Sequence, residues 1–261
     1  MAVPGLIVSG WSWSLPVLLG LMTAVWGVSL RLRDVSIVDV IWGPGFLVVT
    51  LLARILSPSP GPLSGLTVVL VAAWSGRLAL HLALRARGRG EDPRYAEMRA
   101  AHGKAFPLRS LATVFFFQGF LIWILSTPLA VAAASPATPG PWAWVGTGLV
   151  VGGLVLEAVA DAQLSRFRRG GGSGVLDEGL WRYSRHPNYF GEAVLWWGFW
   201  LLAVDAGAAW TVFAPLGMTF LLLKVSGVPL LESRLRARRP EYAAYARRTS
   251  AFVPWPPRKE P

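Results

Sequence analysis

The sequence has no cysteine and only three histidines among its 261 residues. Disulfides, thiolate metal centres and cysteine nucleophiles are therefore excluded, and the redox state of the compartment leaves no mark on the chain. Charge is scarce as well: 15% of residues are Asp, Glu, Lys or Arg, where a soluble domain carries about a quarter. What is present is apolar. Hydrophobic residues make up 54% of the chain, with 14 Trp and 28 Gly; Trp favours the headgroup region of a bilayer, and Gly lets membrane helices pack closely. The net charge of +11 would point to nucleic acid in a soluble protein. Its placement points to membrane topology instead, and no nucleic-acid partner is expected.

A membrane span needs about 20 mostly apolar residues. Such runs fall at 12–30, 35–56, 63–84, 109–133, 142–163, 190–208 and 210–231. Pro58-Ser59-Pro60-Gly61-Pro62, Pro136-Ala137-Thr138-Pro139-Gly140-Pro141 and Asp205-Ala206-Gly207 supply turn chemistry between them. Segments 31–34, 85–109, 164–190 and 232–261 carry 2, 7, 5 and 8 Lys or Arg, which is 22 of the 25. The alternate connections, at 57–62, 134–141 and 205–209, carry none. Seven spans place all four basic segments on one side, so the positive-inside rule predicts the N-terminus outside and the C-terminus cytoplasmic. The predicted fold is an all-α, multi-pass transmembrane helix bundle over 1–261, in a bacterial inner (cytoplasmic) membrane. The first apolar run has no basic residue before it and reads as a first helix rather than a signal peptide.

An ionisable group inside a span costs several kcal/mol unless it is paired or faces a cavity, which makes each one a site candidate. The candidates are Asp39, Arg77 with His81, Gln118, Glu157 with Asp161, Glu192, Lys224 and Glu232. Most lie within about ten residues of a cytoplasmic end, the inner half of the bilayer at about 1.5 Å per residue. Arg77 with His81 and Glu157 with Asp161 are spaced i, i+4, so each pair projects from one helix face. A polar pocket open to the cytoplasm is expected. The same charges also serve as helix-to-helix pairs or snorkel to the interface.

The most specific text is Gly179-Leu180-Trp181-Arg182-Tyr183-Ser184-Arg185-His186-Pro187-Asn188-Tyr189-Phe190-Gly191-Glu192, followed by Trp196-Trp197-Gly198. Gly191 permits a close approach of backbone or ligand, while Asn188, Tyr189 and Glu192 offer hydrogen bonds at a helix start, suited to a carboxamide and ribose hydroxyls. Gly170-Gly171-Gly172-Ser173-Gly174 follows a span and no strand, so it fails the context of a dinucleotide fingerprint and reads as a linker or lid. The three histidines lack metal-ligand spacing, and no metal is expected.

The run around Arg185-His186-Pro187-Asn188 resembles the C-terminal domain of the membrane steroid 5α-reductases and sterol reductases. Asp34-Val35-Ser36-Ile37-Val38-Asp39-Val40-Ile41-Trp42-Gly43 resembles a bacterial branch of that superfamily labelled as a domain of unknown function; isoprenylcysteine carboxyl methyltransferases are further relatives. The resemblance implies a substrate side in spans 1 to 3, residues 1–109, and cofactor-binding loops in 110–261. It implies NADPH held by Arg87, Arg89, Asp161, Arg168, Arg185, His186, Asn188, Tyr189, Glu192 and Glu232, with arginines taking the 2′-phosphate through charge-assisted bonds. For His186, binding pyrophosphate, bracing the loop and proton chemistry all stay open.

The chemistry implied is hydride transfer from NADPH to the β-carbon of an enone in a lipophilic, membrane-dissolved substrate, a 3-oxo-4-ene steroid being the natural class. Steroid reductases place an acid on the second span, and Asp39 holds that place. An acid in a low-dielectric pocket stays protonated and able to donate, with Arg77 and His81 assisting. Trp42, Trp74 and Trp196 are the expected substrate walls. Where the eukaryotic enzymes carry a Gln-Glu pair this chain has the lone Asp39, and their span-end Asn is Glu157. The alternative is a membrane methyltransferase using S-adenosylmethionine, which shares the Arg-His-Pro element and a pattern like Glu232 with Pro240-Glu241-Tyr242.

Overall fold

The computed structural model describes residues 4–171, 174–225, 228, 232, 235 and 241–258, with side chains from Trp11 onward. Parts of four sequence readings lie outside the described residues: the end of the last expected span, Gly172 and Ser173 of the glycine-rich loop, much of the basic segment 232–261, and Pro240. Every regular element among the described residues is helical; the one bridge of β type pairs Ser184 with Ser250. The chain is an all-α integral membrane protein.

The helices run in order: α1 Pro4–Leu32, α2 Ile37–Ile55, α3 Pro62–Ala86, α4 Pro93–His102, α5 Phe106–Ser110, α6 Phe117–Leu125 and α7 Thr127–Ala134. Then follow α8 Pro141–Arg169, α9 Pro187–Asp205, α10 Phe213–Phe220 and α11 Tyr242–Arg248. Among the described residues, five stretches are long and apolar enough to cross a membrane: Trp11–Leu32, Ile37–Ile55, Pro62–Ala86, Pro93–Leu125 and Pro141–Arg169. The sixth expected span is α9, where Asn188, Glu192 and three tryptophans lower the hydropathy. The seventh expected span overlaps the shorter apolar stretch Ala209–Val225.

Two expectations are corrected. Segment 85–109, read as a basic connection, contains α4 and α5, and helix continues from them into the fourth span. That span, expected as one run over 109–133, includes a π-helical stretch at Leu111–Phe116 and breaks at Ser126, where Pro128 cannot donate to the preceding turn.

The chain divides into two compact units, Met1–Ala143 with Leu202–Thr211, and Trp144–Leu201 with Val212–Pro261. In the first unit, α1 ends in a left-handed turn at Arg33 (φ 55°), with Asp34 N–H returning to Ser29 C=O at 3.1 Å. Trp11 and Trp123 stack at 4.0 Å, and each indole N–H donates to the other's carbonyl, at 3.1 and 3.0 Å. At the α2–α3 turn, Gly61 N–H bonds Ser135 C=O at 2.9 Å, and a Cβ at Gly61 would lie 2.2 Å from Pro136 O. Only glycine fits there. Asp205 Oδ2 accepts from Gly140 N–H at 2.7 Å and Ala143 N–H at 2.8 Å, satisfying groups at the start of α8.

The second unit is built on a glycine contact. A Cβ on Gly153 of α8 would meet Gly191 O at 2.5 Å, and one on Gly191 of α9 would meet Gly153 O at 2.8 Å. Seven residues further along α9, Gly198 approaches Gly146 O in the same way, at 2.6 Å from its Cβ position. The close approach expected at Gly191 is thus made by the backbone of α8. It draws the carboxyl-bearing faces of both helices together.

Candidate functional site

In the first unit the site is formed by the starts of two helices. Asp39 is the third residue of α2 and Tyr95 the third of α4. Tyr95 O–H donates to Asp39 Oδ1 at 2.8 Å, and Arg94 Nη2 donates to Asp39 Oδ2 at 2.8 Å. Gln118, on α6, brings its amide nitrogen to 3.5 Å from Asp39 Oδ1 and 3.4 Å from the Tyr95 oxygen. Tyr95 is buried, and the Asp39 side chain is 29% exposed. Along the Asp39 face of α2 come Trp42 and Phe46; Trp42 meets Phe46 edge-on at 5.3 Å, and Phe46 meets the fully buried Trp74 at 5.4 Å. The arrangement sets a phenol, an amide and a carboxylate at one end of an aromatic wall.

Asp39 is the expected donor. Asp39 stands in the first turn of α2 and accepts from a guanidinium and a phenol, the geometry of a carboxylate favoured at a helix N-terminus. Tyr95 supplies the hydroxyl proton of the bond between them. The donors that meet Asp39 are Arg94, Tyr95 and Gln118; Arg77 and His81 stand half-buried on α3. Of the expected walls, Trp42 is half-buried and Trp74 fully buried against Phe46.

The loop that carries this site is stitched by short bonds. Val35 N–H donates to Glu91 Oε1 at 2.9 Å, and Asp92 N–H donates to Ser36 Oγ at 2.8 Å. Burial would raise the Glu91 carboxyl, but the Arg99 guanidinium and the Val35 N–H outweigh it and hold the group below its ordinary value.

In the second unit, Asn188 Nδ2 donates to Asp161 Oδ1 at 3.2 Å, joining the start of α9 to α8. Glu157, Asp161 and Glu192 are all buried. Trp196 Nε1 donates to Glu192 Oε1 at 2.9 Å. Trp196, expected to line a pocket, is fully buried, with its edge on Phe199 at 5.9 Å. It orients Glu192 from the next turn.

Arg185, expected to hold the cofactor, meets groups of the chain itself. Its guanidinium holds Glu232 Oε1 through Nε and Nη2, both at 2.7 Å, and donates through Nη1 to Ala246 C=O at 2.8 Å and Thr249 C=O at 2.9 Å. With these donors on the chain itself, Arg185 braces the C-terminal segment. His186, stacked on Tyr189 at 5.5 Å, brings Nε2 to 3.5 Å from the same Glu232 oxygen. Bracing is the role this geometry supports for it. Burial raises the Glu232 carboxyl, but His186 and Arg185 outweigh burial and hold it at about 2. The Tyr245 hydroxyl donates to Trp181 C=O, and burial pushes its pKa up. Arg87 and Arg89 are exposed beyond α3, and Arg168 is exposed in the last turn of α8.

Sequence reasoning missed Arg94 and Tyr95. The available signal was Asp92-Pro93, an N-cap followed by proline, which marks a helix start.

An uncharacterized protein of Schizosaccharomyces pombe is 26% identical over 273 aligned residues, covering 88% of this chain and 75% of the yeast protein. Steroid 5-alpha-reductase DET2 of Solanum lycopersicum is 33% identical over 112 residues, 41% of this chain and 44% of that protein. No solved structure matches the chain. The family described as a protein of unknown function (DUF1295) matches residues 25–249, and the chain belongs to that family, a relative of the steroid 5-alpha-reductases.

Proposed function

We propose that this chain is a membrane reductase that uses NADPH to saturate a carbon–carbon double bond conjugated to a ketone in a lipophilic substrate, of the 3-oxo-4-ene steroid kind. The observation that carries the reading is the Tyr95–Asp39 hydrogen bond beside Trp42, in a chain related to a steroid 5-alpha-reductase. The proposed topology has seven crossings, with α9 and the Ala209–Val225 stretch added to the five membrane-length helices. With the basic segments on one side, the N-terminus is outside and the C-terminus cytoplasmic, in a bacterial inner membrane whose lipid delivers the substrate.

The donor set of the second unit fits a dinucleotide. Asn188 offers an amide for a carboxamide, buried Asp161 and Glu192 offer acceptors for ribose hydroxyls, and Arg168 offers an exposed guanidinium group for phosphate. When bound, NADPH supplies the hydride that adds to the β-carbon of the enone. The electron pair of the alkene then shifts to the bond between the α-carbon and the carbonyl carbon, that of the carbonyl moves to its oxygen, and a solvent proton ends on the α-carbon of the enolate so formed.

The chain's part is to stabilise that oxygen. Tyr95 has one hydroxyl proton, held by Asp39 before substrate arrives. A ketone oxygen in reach of Tyr95 takes that proton's hydrogen bond, while Arg94 and Gln118 continue to hold Asp39. The developing enolate strengthens the bond, so the phenol contributes more in the transition state than in the ground state. Trp42 presents a flat apolar face to a fused-ring substrate.

The test is turnover by the purified protein in lipid nanodiscs. Loss of NADPH absorbance with a 3-oxo-4-ene steroid, matched by a product heavier by two hydrogens, supports the reading. Unchanged NADPH with every enone tried, or S-adenosylmethionine retained through purification, overturns it.

A further inference from the structure

Three bonds between the α2 and α4 starts share one offset. Val35 with Glu91, Ser36 with Asp92, and Asp39 with Tyr95 are each 56 residues apart. Ser36 occupies the N-cap position of α2 without a side-chain cap bond and Asp92 caps α4, so cap position meets cap position and third residue meets third residue. The two helices begin in parallel register. One residue of slip would turn Tyr95 by about 100° around α4, away from Asp39.

The bonds that fix this register lie outside the site. Glu91 receives Arg99 through two bonds, Nε to Oε2 at 3.0 Å and Nη2 to Oε1 at 2.7 Å, besides the Val35 N–H. The Arg99 guanidinium carbon itself lies over the buried ring of Phe106, 4.5 Å from its centroid. Ser36 Oγ donates to Asp34 Oδ1 and accepts from Asp92 N–H, so its single proton has a fixed direction. Asp92 Oδ1 then caps Arg94 N–H at 2.9 Å and holds Arg94 Nε at 2.9 Å, which leaves Nη2 to reach Asp39. A continuous chain of bonds runs from the surface loop to the site.

We infer that Ser36 and Glu91 are positioning residues, which set the register of α4 on α2 and thereby aim the Tyr95 hydroxyl. The inference rests on the proposed role of Tyr95, but its geometry can be read without turnover. Neither side chain bonds the side chain of Asp39 or Tyr95. Each acts through Asp92 and Arg94, or through Val35 and Arg99.

The experiment uses the full-length protein labelled with 3-fluorotyrosine, in which the five tyrosines give five fluorine resonances. Tyr95→Phe assigns one of them, and Asp39→Asn shows how far it moves when the bond is lost. Ser36→Ala and the isosteric Glu91→Gln are each expected to shift the Tyr95 resonance in that direction and leave the other four in place. Ser36→Thr, which keeps the hydroxyl, restores it. With a 3-oxo-4-ene steroid, kcat falls about tenfold to a hundredfold in Ser36→Ala and Glu91→Gln, while KM for NADPH holds. A Tyr95 resonance that stays put in a folded Glu91→Gln protein overturns the inference. Because the resonance is read without substrate, a wild-type protein that reduces no enone counts against the proposed function alone.

Discussion

The hydroxyl of Tyr95 lies 2.8 Å from Asp39 Oδ1, and the two residues are each third in their helices, at the same offset that joins Ser36 to Asp92. Two helix starts are thus paired cap to cap, with a phenol and a carboxylate facing one another one turn in. The chemistry proposed for the chain follows from which of the two carries the proton.

Removing that proton is the first prediction. Tyr95→Phe keeps the ring and loses the donor, so kcat for enone reduction falls about a hundredfold to a thousandfold, as for other single oxyanion donors. Asp39→Asn also loses most turnover, because the amide cannot hold both the Arg94 guanidinium and the phenol as acceptor. NADPH affinity, read by fluorescence quenching, is unchanged in both. Undiminished turnover in Tyr95→Phe removes Tyr95 from the role.

Cofactor binding is the complementary test. Asn188→Ala removes the amide that bridges to Asp161, and Arg168→Ala removes a cation at the end of α8. Each weakens NADPH by about tenfold, the value of one hydrogen bond at the upper end of the usual range or one charged contact. Calorimetric titration in nanodiscs checks this. Equal affinity in both variants places the dinucleotide elsewhere.

The reasons these groups were only partly legible in the sequence are physical. Span positions came from apolar run length, and the turns at Gly61, Gly140 and Gly207 from local chemistry, both of which are short-range properties. α4 has no apolar run to announce it: in Pro93–His102 only Tyr95 is fully buried, and the rest reads as a charged connection. Asp39 was found because an acid near a span stands out. That it accepts its bonds was not legible, since Arg94 and Tyr95 lie 55 and 56 residues away. Trp196 shows the converse: an i, i+4 spacing to Glu192 was visible, but its complete burial is a property of packing.

Packing of α8 on α9 gives a stability prediction with an internal control. Gly191→Ala places a methyl 2.8 Å from Gly153 O and 3.0 Å from Glu157 Cγ, so the helices must part. The cost is about 1–3 kcal/mol, with a lower Tm. Gly148→Ala meets nothing within 4 Å and leaves Tm unchanged or slightly higher. Equal Tm values for the two variants would contradict the close approach.

Acid sensitivity follows from Glu232. Its carboxyl is held at about 2, below the ordinary 4.5, so the folded protein prefers the ionised form. The stability this contributes is fully present above 4.5 and is lost as pH falls toward 2. Glu232→Gln therefore lowers Tm at neutral pH, and the difference from wild type shrinks as the pH drops below 4.5. A difference that is constant across that window would show that Arg185 and His186 do not act on the charge of Glu232.

The central claim is hydride delivery from NADPH to an enone, and isotope transfer tests it most directly. Wild-type protein in nanodiscs is given NADPH bearing deuterium at the transferable position of the nicotinamide, with a 3-oxo-4-ene steroid, and the product is examined by mass spectrometry and NMR. The account predicts one deuterium, on the β-carbon of the saturated ketone, and product formation that nearly vanishes in Tyr95→Phe. A saturated product without deuterium, or no product while NADPH is bound, would contradict it.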